Sequence, residues 1–142
     1  VELCVGAGTF KPVETETLED HPMHSERCAM DEGARMAIFE HARRVVAVGS
    51  TSARTIETYA ALRDSGLPLP PSVETDLLIA PGYAWRRVDA LLTNFHLPRS
   101  TLLAMVSALF PEGMDRLRAI YGEAIEREYR FFSYGDAMLV LP

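Results

Sequence analysis

Helices packed on a mostly parallel or mixed sheet, the layered α/β class, is the fold this sequence predicts, and three features predict it. Apolar runs rich in β-branched residues alternate along the chain with segments of helical spacing. Several of those runs are apolar throughout, as strands covered on both faces are, and glycine or proline closes most of them. At 142 residues, 48% hydrophobic and 24% charged, the chain has the size of one such domain, residues 1–142, with a single core.

Val1 to Val5 reads as the inside of a strand that ends in the turn Gly6-Ala7-Gly8-Thr9-Phe10, before Pro12. Beginning inside a strand, the chain reads as the C-terminal part of a longer protein. The acidic run Glu14 to Glu26 has no amphipathic period and is expected to be a loop, leading into a short strand at Arg27 to Met30 and a helix from Glu32 to His41. Arg44 to Val48 is a strand bounded by Gly49. Ser50-Thr51-Ser52 then caps a helix whose Ala53, Ile56 and Ala60 keep helical spacing. Gly66 to Ser72, rich in proline, is a surface connection; Asp76 to Ala80, stopped by Pro81-Gly82, and Val88 to Thr93 are the next strands. Ser100 caps a nearly all-apolar helix to Phe110, a pattern of burial on most sides. Beyond Pro111-Glu112-Gly113, a final helix runs through Met114, Leu117, Tyr121, Ala124 and Glu128, and Ala137 to Leu141 is the last strand.

Composition excludes several classes. No stretch approaches the ~20 apolar residues that cross a bilayer, and no segment has the pattern of a signal peptide, so the expected compartment is the cytoplasm. Two cysteines, Cys4 and Cys28, give no disulfide framework and are expected to be reduced. With 14 Lys and Arg against 20 Asp and Glu, the net charge is −6, so any contact with nucleic acid must be local.

Five constellations could carry chemistry. Val5-Gly-Ala-Gly-Thr-Phe10 lacks the third glycine of a dinucleotide fingerprint; Gly6, Gly8, Thr9 and Phe10 form either a tight turn or backbone laid against a ligand. His21-Pro-Met-His-Ser-Glu26 brings His21, His24 and Glu26 within six residues. They suit proton transfer at neutral pH, although an ordered loop would use the same residues, and zinc held with Cys28 has none of the usual spacings. In Val48-Gly-Ser-Thr-Ser-Ala-Arg54 a strand enters a helix through Ser50, Thr51 and Ser52 with Arg54 one turn in, an anion seat or a simple cap.

Thr93-Asn-Phe-His-Leu-Pro98 sits at a strand end, where sheets of this class place ligands just beyond the carboxyl edge. Asn94, Phe95 and His96 face a ligand there or make a packed turn. Tyr129-Arg-Phe-Phe-Ser-Tyr-Gly-Asp-Ala137 is dense in aromatics. It is either a core plug, or Arg130, Phe132, Ser133, Tyr134 and Asp136 line a site that stacks a base.

Taken together, VGAGTFKPV, HPMHSE, RRVVAVGSTSARTIE, TNFHLPRSTLLAMVSALF and YRFFSYGDAMLV resemble, in order from Val1 to Leu141, the C-terminal half of the S-adenosylmethionine:tRNA ribosyltransferase-isomerase family of queuosine biosynthesis (QueA). The resemblance implies an α/β domain whose family carries an inserted β-barrel in the half absent from this chain. It implies transfer of the ribosyl part of S-adenosylmethionine to 7-aminomethyl-7-deazaguanine in a tRNA anticodon, giving epoxyqueuosine, with release of adenine and methionine. S-adenosylmethionine is then a co-substrate and no prosthetic group is involved; the partner is tRNA. The fragment alone is expected to be inactive. One departure lies inside the match: the family commonly has His where this chain has Cys4.

Such a reaction needs a base beside the sulfonium carbon, a route for adenine to leave and a free amine as nucleophile. His24 with Glu26 as its orienting carboxylate is the first acid–base candidate, with His21 and His96 as rivals. The Gly49 to Ser52 helix start with Arg54 could hold the methionine carboxylate or a tRNA phosphate, and Phe95, Phe132 or Tyr134 could stack on a base. The alternative reading is a truncated module that binds RNA or a nucleotide without turning it over.

Overall fold

The computed structural model describes residues 1–6, 13–18 and 20–141. In chain order its elements are β1 (Glu2–Leu3), β2 (Glu26–Ala29), α1 (Glu32–Met36), β3 (Val46–Val48), α2 (Ser50–Asp64), β4 (Ser72–Thr75), β5 (Ala90–Asn94), α3 (Thr101–Ser107), α4 (Met114–Glu126) and β6 (Ala137–Val140). The α/β class is the one predicted. The strands form two three-stranded sheets: an antiparallel one in the order β1-β2-β4, and a mixed one in the order β3-β5-β6.

In the mixed sheet β3 and β5 run parallel, with Val48 opposite Leu92, and β6 returns antiparallel, with Asn94 opposite Ala137. The consequence for function is geometric. The carboxyl ends of β3 and β5 and the start of β6 all lie at one sheet edge, which gathers Gly49–Ser52, Asn94–His96 and the segment before Ala137.

Local chemistry explains most boundaries. Asp31 caps α1 by accepting the Ala34 N–H at 2.8 Å, and the helix then widens into a π turn, Ala37–His41, closed by the Ala42 N–H on the Ala37 carbonyl. Ser100 caps α3 through the Leu103 N–H at 3.2 Å, and six of the seven residues of α3 are buried, as its apolar run predicts. The last helix stops at Glu126, and Glu128 takes a positive φ of 59°.

Two expectations require correction. Asp76 to Ala80 is no strand; the ladder with β2 forms earlier, at Ser72–Thr75, where Glu74 faces Arg27 and Val73 faces Cys28. The Thr75 hydroxyl accepts the Leu77 N–H at 3.2 Å and bonds the Thr58 hydroxyl at 2.7 Å, turning the chain out of the sheet while Ile79 still enters the core. Nor do Ser50–Ser52 cap α2. Gly49 is the N-cap, at φ 92° and ψ 144°, a conformation open to glycine, and it has no side chain to offer the helix.

The core joins Cys28, Met30, Ile56, Tyr59, Ile79, Leu91, Val106 and Leu117, each worth about 1.5–3 kcal/mol for the larger side chains on burial. Both cysteines are free, Cys28 buried and Cys4 exposed; burial pushes the Cys28 thiol pKa up. Among the described residues no helix is long and apolar enough to cross a membrane.

Candidate functional site at the carboxyl edge

Three of the five constellations meet at one buried ion pair. Arg54, one turn into α2, places Nη1 2.5 Å from Glu26 Oε2, and both side chains are almost fully buried. Glu26 Oε1 in turn accepts the Gly6 N–H at 2.8 Å. Arg54 also donates through Nε to the Leu77 carbonyl at 3.2 Å, while its Nη2 is buried and has no hydrogen-bond partner among the described residues. Arg54 also borders a narrow, mostly apolar cavity of about 10 Å³, with Met23, Leu77, Ile79, Thr101 and Met105 among its lining. Gly8, Thr9 and Phe10 lie outside the described residues.

This geometry changes the roles that the residues can take. Arg54 faces Glu26 inside the protein rather than a surface ligand, and Gly49, the N-cap, has no side chain to bond the first-turn N–H groups of α2 at Ser50, Thr51 and Ser52. Glu26 is clamped by Arg54 and Gly6, whereas His24, two residues earlier, is exposed and His21 is half-buried. Among the described residues no three His, Cys, Asp or Glu side chains converge as a metal site requires.

At the end of β5, Asn94 is exposed and its neighbours turn inward. Phe95 is buried and packs against Tyr121, Tyr129 and Phe131 at ring-centroid distances of 5.4, 5.6 and 5.1 Å, so its ring belongs to the interior. His96 is 7% exposed, its Nε2 2.9 Å from the Thr93 hydroxyl and its backbone N–H donated to the Tyr121 hydroxyl at 2.8 Å. Burial pulls its pKa down to about 4, which keeps the imidazole neutral at pH 7.

The aromatic segment before β6 folds back onto this edge. The Phe132 N–H donates to the Phe95 carbonyl at 2.9 Å, and Phe132 holds a left-handed φ of 64° with its side chain 42% exposed. A large aromatic in that region is strained. Phe132, Ser133 and Tyr134 form a 3₁₀ turn, with Ser133 exposed. Arg130 and Asp136 close the loop. The Asp136 carboxylate accepts the Arg130 N–H at 2.9 Å and the guanidinium at 3.0 Å, which lowers the Asp136 pKa. Gly135 is obligatory there, because a Cβ would lie 2.3 Å from the Arg130 carbonyl oxygen.

Two cavities border the edge. One of about 230 Å³ lies between Phe95, Tyr129, Ala137, Met138 and α4; another of about 530 Å³ lies between α3 and α4 and opens at Pro98 and Arg99. Sequence reasoning missed Tyr121, whose place at +7 from Met114 on α4 marked it only as core, and Glu57. The Glu57 carboxylate is fully buried and accepts the Tyr83 hydroxyl and the backbone N–H groups of Arg86, Arg87 and Val88, each at 2.9 Å. Its signal was a charged residue four positions after Ala53, on the apolar side of α2.

Residues 1–140 match the family model described as queuosine biosynthesis protein. The chain is 51% identical over 144 aligned residues to the S-adenosylmethionine:tRNA ribosyltransferase-isomerase of Heliobacterium modesticaldum, covering 99% of this chain and 41% of that protein. It is 54% identical to the enzyme of the same name from Cupriavidus metallidurans, covering 97% and 39%. A crystal structure of S-adenosylmethionine tRNA ribosyltransferase from Thermotoga maritima superposes with a TM-score of 0.67 at 43% identity, over 82% of this chain and 40% of that one. The chain therefore spans about two fifths of the length of these relatives.

Proposed function

The chain belongs to the queuosine biosynthesis protein family, and on that premise we propose that it is the C-terminal α/β domain of a two-domain S-adenosylmethionine:tRNA ribosyltransferase-isomerase. In this reading the whole enzyme moves the ribosyl part of S-adenosylmethionine to 7-aminomethyl-7-deazaguanine in tRNA and yields epoxyqueuosine. Work of that kind belongs in the cytoplasm. The observation that carries the reading is the junction of Gly6, Glu26 and Arg54, which ties three separate signatures together beside the sheet edge where the other two meet.

The parts divide by what each can do. The N–H groups at Ser50–Ser52, which Gly49 does not cap, suit the methionine carboxylate, since a helix start concentrates donors and positive potential. Exposed Phe132 offers an aromatic face to a base, and exposed Asn94 and Ser133 supply hydrogen-bonding groups from the same sheet edge. Arg130 and Asp136 hold the loop that presents Phe132. The Glu26–Arg54 pair positions Gly6 and the start of α2 rather than exchanging protons. His24, exposed two residues before Glu26, is the first candidate to accept the proton next to the sulfonium carbon, with His21 as its rival. His96, neutral and enclosed, acts as a fixed hydrogen-bonding group.

The test is adenine release from S-adenosylmethionine in the presence of substrate tRNA, by a protein that joins this chain to the remaining part of a relative. His24→Ala is expected to lower turnover by about 10²–10⁴-fold with S-adenosylmethionine still bound. Unchanged turnover in both His24→Ala and His21→Ala would reject the assignment. The chain's length, two fifths of its relatives, favours a second reading for the chain by itself: binding without turnover. Calorimetry of the 142-residue chain with S-adenosylmethionine, then tRNA, measures that directly.

A further inference from the structure

One peptide group links the two loops that meet at the carboxyl edge. The carbonyl of Phe95 and the N–H of His96 belong to the same peptide unit, and both of its ends are held. The oxygen accepts the Phe132 N–H at 2.9 Å, and the N–H donates to the Tyr121 hydroxyl at 2.8 Å. Because the unit is planar and trans, fixing the direction of its N–H fixes the direction of its carbonyl. Tyr121 reaches it from α4, 25 residues further along the chain. Its ring also packs edge-on against Phe95 and Phe131, at centroid distances of 5.4 and 5.5 Å. Burial raises the Tyr121 pKa, so its oxygen meets the N–H as a neutral hydroxyl.

Phe132 depends on that carbonyl. A φ of 64° is strained for an aromatic residue and persists only where the surroundings hold it. The Gly135–Phe132 and Arg130–Asp136 bonds lie within the loop itself, whereas the Phe132–Phe95 bond ties the loop to the end of β5. The start of α2 is fastened separately, by the Gly49 N–H on the Leu92 carbonyl at 2.8 Å. We infer that Tyr121 is a positioning residue for the tRNA side of the site: by fixing the Phe95–His96 peptide it sets the carbonyl that holds Phe132, and so pre-organises Phe132 for the base without touching it. This rests on the reading above that Phe132 stacks on a tRNA base. Without the hydroxyl, the N–H of buried His96 loses its acceptor, the peptide is free to turn, and Phe132 relaxes out of its strained conformation.

Tyr121→Phe is the test, since it deletes the acceptor and keeps the ring. In a protein that joins this chain to the remaining part of a relative, it should raise the Kd for tRNA carrying 7-aminomethyl-7-deazaguanine about tenfold and leave the Kd for S-adenosylmethionine unchanged. In a Phe132→Ala background the same substitution should add less than about twofold, because Tyr121 acts through Phe132. Parental tRNA affinity in Tyr121→Phe, with Phe132→Ala impaired, would overturn the inference alone. So would equal losses for both ligands, the mark of a general structural role, or losses that multiply in the double variant. Parental affinity in Phe132→Ala would instead overturn the base-stacking reading, and this role with it. A second measurement needs no substitution: coupling is reciprocal, so saturating tRNA should slow hydrogen exchange at both the Phe132 and the His96 amides. Slowing at Phe132 alone would overturn the link through the shared peptide.

Discussion

Replacing Arg54 with Ala removes the guanidinium from a pair in which both partners are nearly fully buried, 2.5 Å apart, and also breaks the donation to the Leu77 carbonyl. Taking one charge from a buried pair leaves the other poorly solvated, which costs about 3–5 kcal/mol. Set against a typical domain stability of about 5–15 kcal/mol, that is enough to bring the protein close to unfolding. The double replacement Glu26→Gln with Arg54→Met behaves differently: no charge is stranded, the glutamine oxygen still accepts the Gly6 N–H, and the loss should shrink to about 1–2 kcal/mol. Urea denaturation followed by circular dichroism measures both, and the cycle of Glu26→Gln, Arg54→Met and their double then gives a coupling of at least about 2 kcal/mol. An Arg54→Ala protein within about 1 kcal/mol of the parent, or singles that add up to the double, would refute the reasoning.

His96 gives a pH signature. Its folded pKa of about 4 lies below the ordinary 6.5, so its contribution to stability is complete above pH 6.5 and is lost as pH falls toward 4, by about 3 kcal/mol in all. His96→Gln should flatten that part of the curve, and an imidazole that titrates near 6.5 by NMR contradicts the burial argument. Gly135→Ala drives a Cβ into the Arg130 carbonyl and should cost about 2 kcal/mol or more while opening the Arg130–Asp136 loop; a loss below about 0.5 kcal/mol counts against the turn geometry. Glu57→Ala leaves three backbone N–H groups, that of Val88 buried, without their acceptor, and a loss of about 2 kcal/mol or more is expected, together with faster hydrogen exchange at Arg86, Arg87 and Val88. Unchanged exchange at those amides would show that the loop holds itself.

What could be read in the sequence followed from local rules. A nearly all-apolar run and a capping serine located α3, and the β-branched run before Gly49 located β3. β4 was missed because Ser72-Val-Glu-Thr75 is short and polar while the more apolar Asp76 to Ala80 reads better as a strand; a Thr75 hydroxyl bond to Leu77, invisible in composition, decides the matter. The motifs were legible as chemistry, but their partners were not. Arg54 is 28 residues from Glu26, and nothing local shows that its charge turns inward to a carboxylate rather than outward to a ligand. Phe95 and Phe132 were alike as candidate stacking faces; only the fold buries one and leaves the other at the surface with its backbone strained.

The most direct test of the central claim is nucleoside mass spectrometry of tRNA carrying 7-aminomethyl-7-deazaguanine after incubation with S-adenosylmethionine and the chain joined to the rest of a family-length protein. The account predicts epoxyqueuosine, with adenine and methionine released in equal amount. Unmodified tRNA recovered from a folded protein that binds both substrates would contradict it.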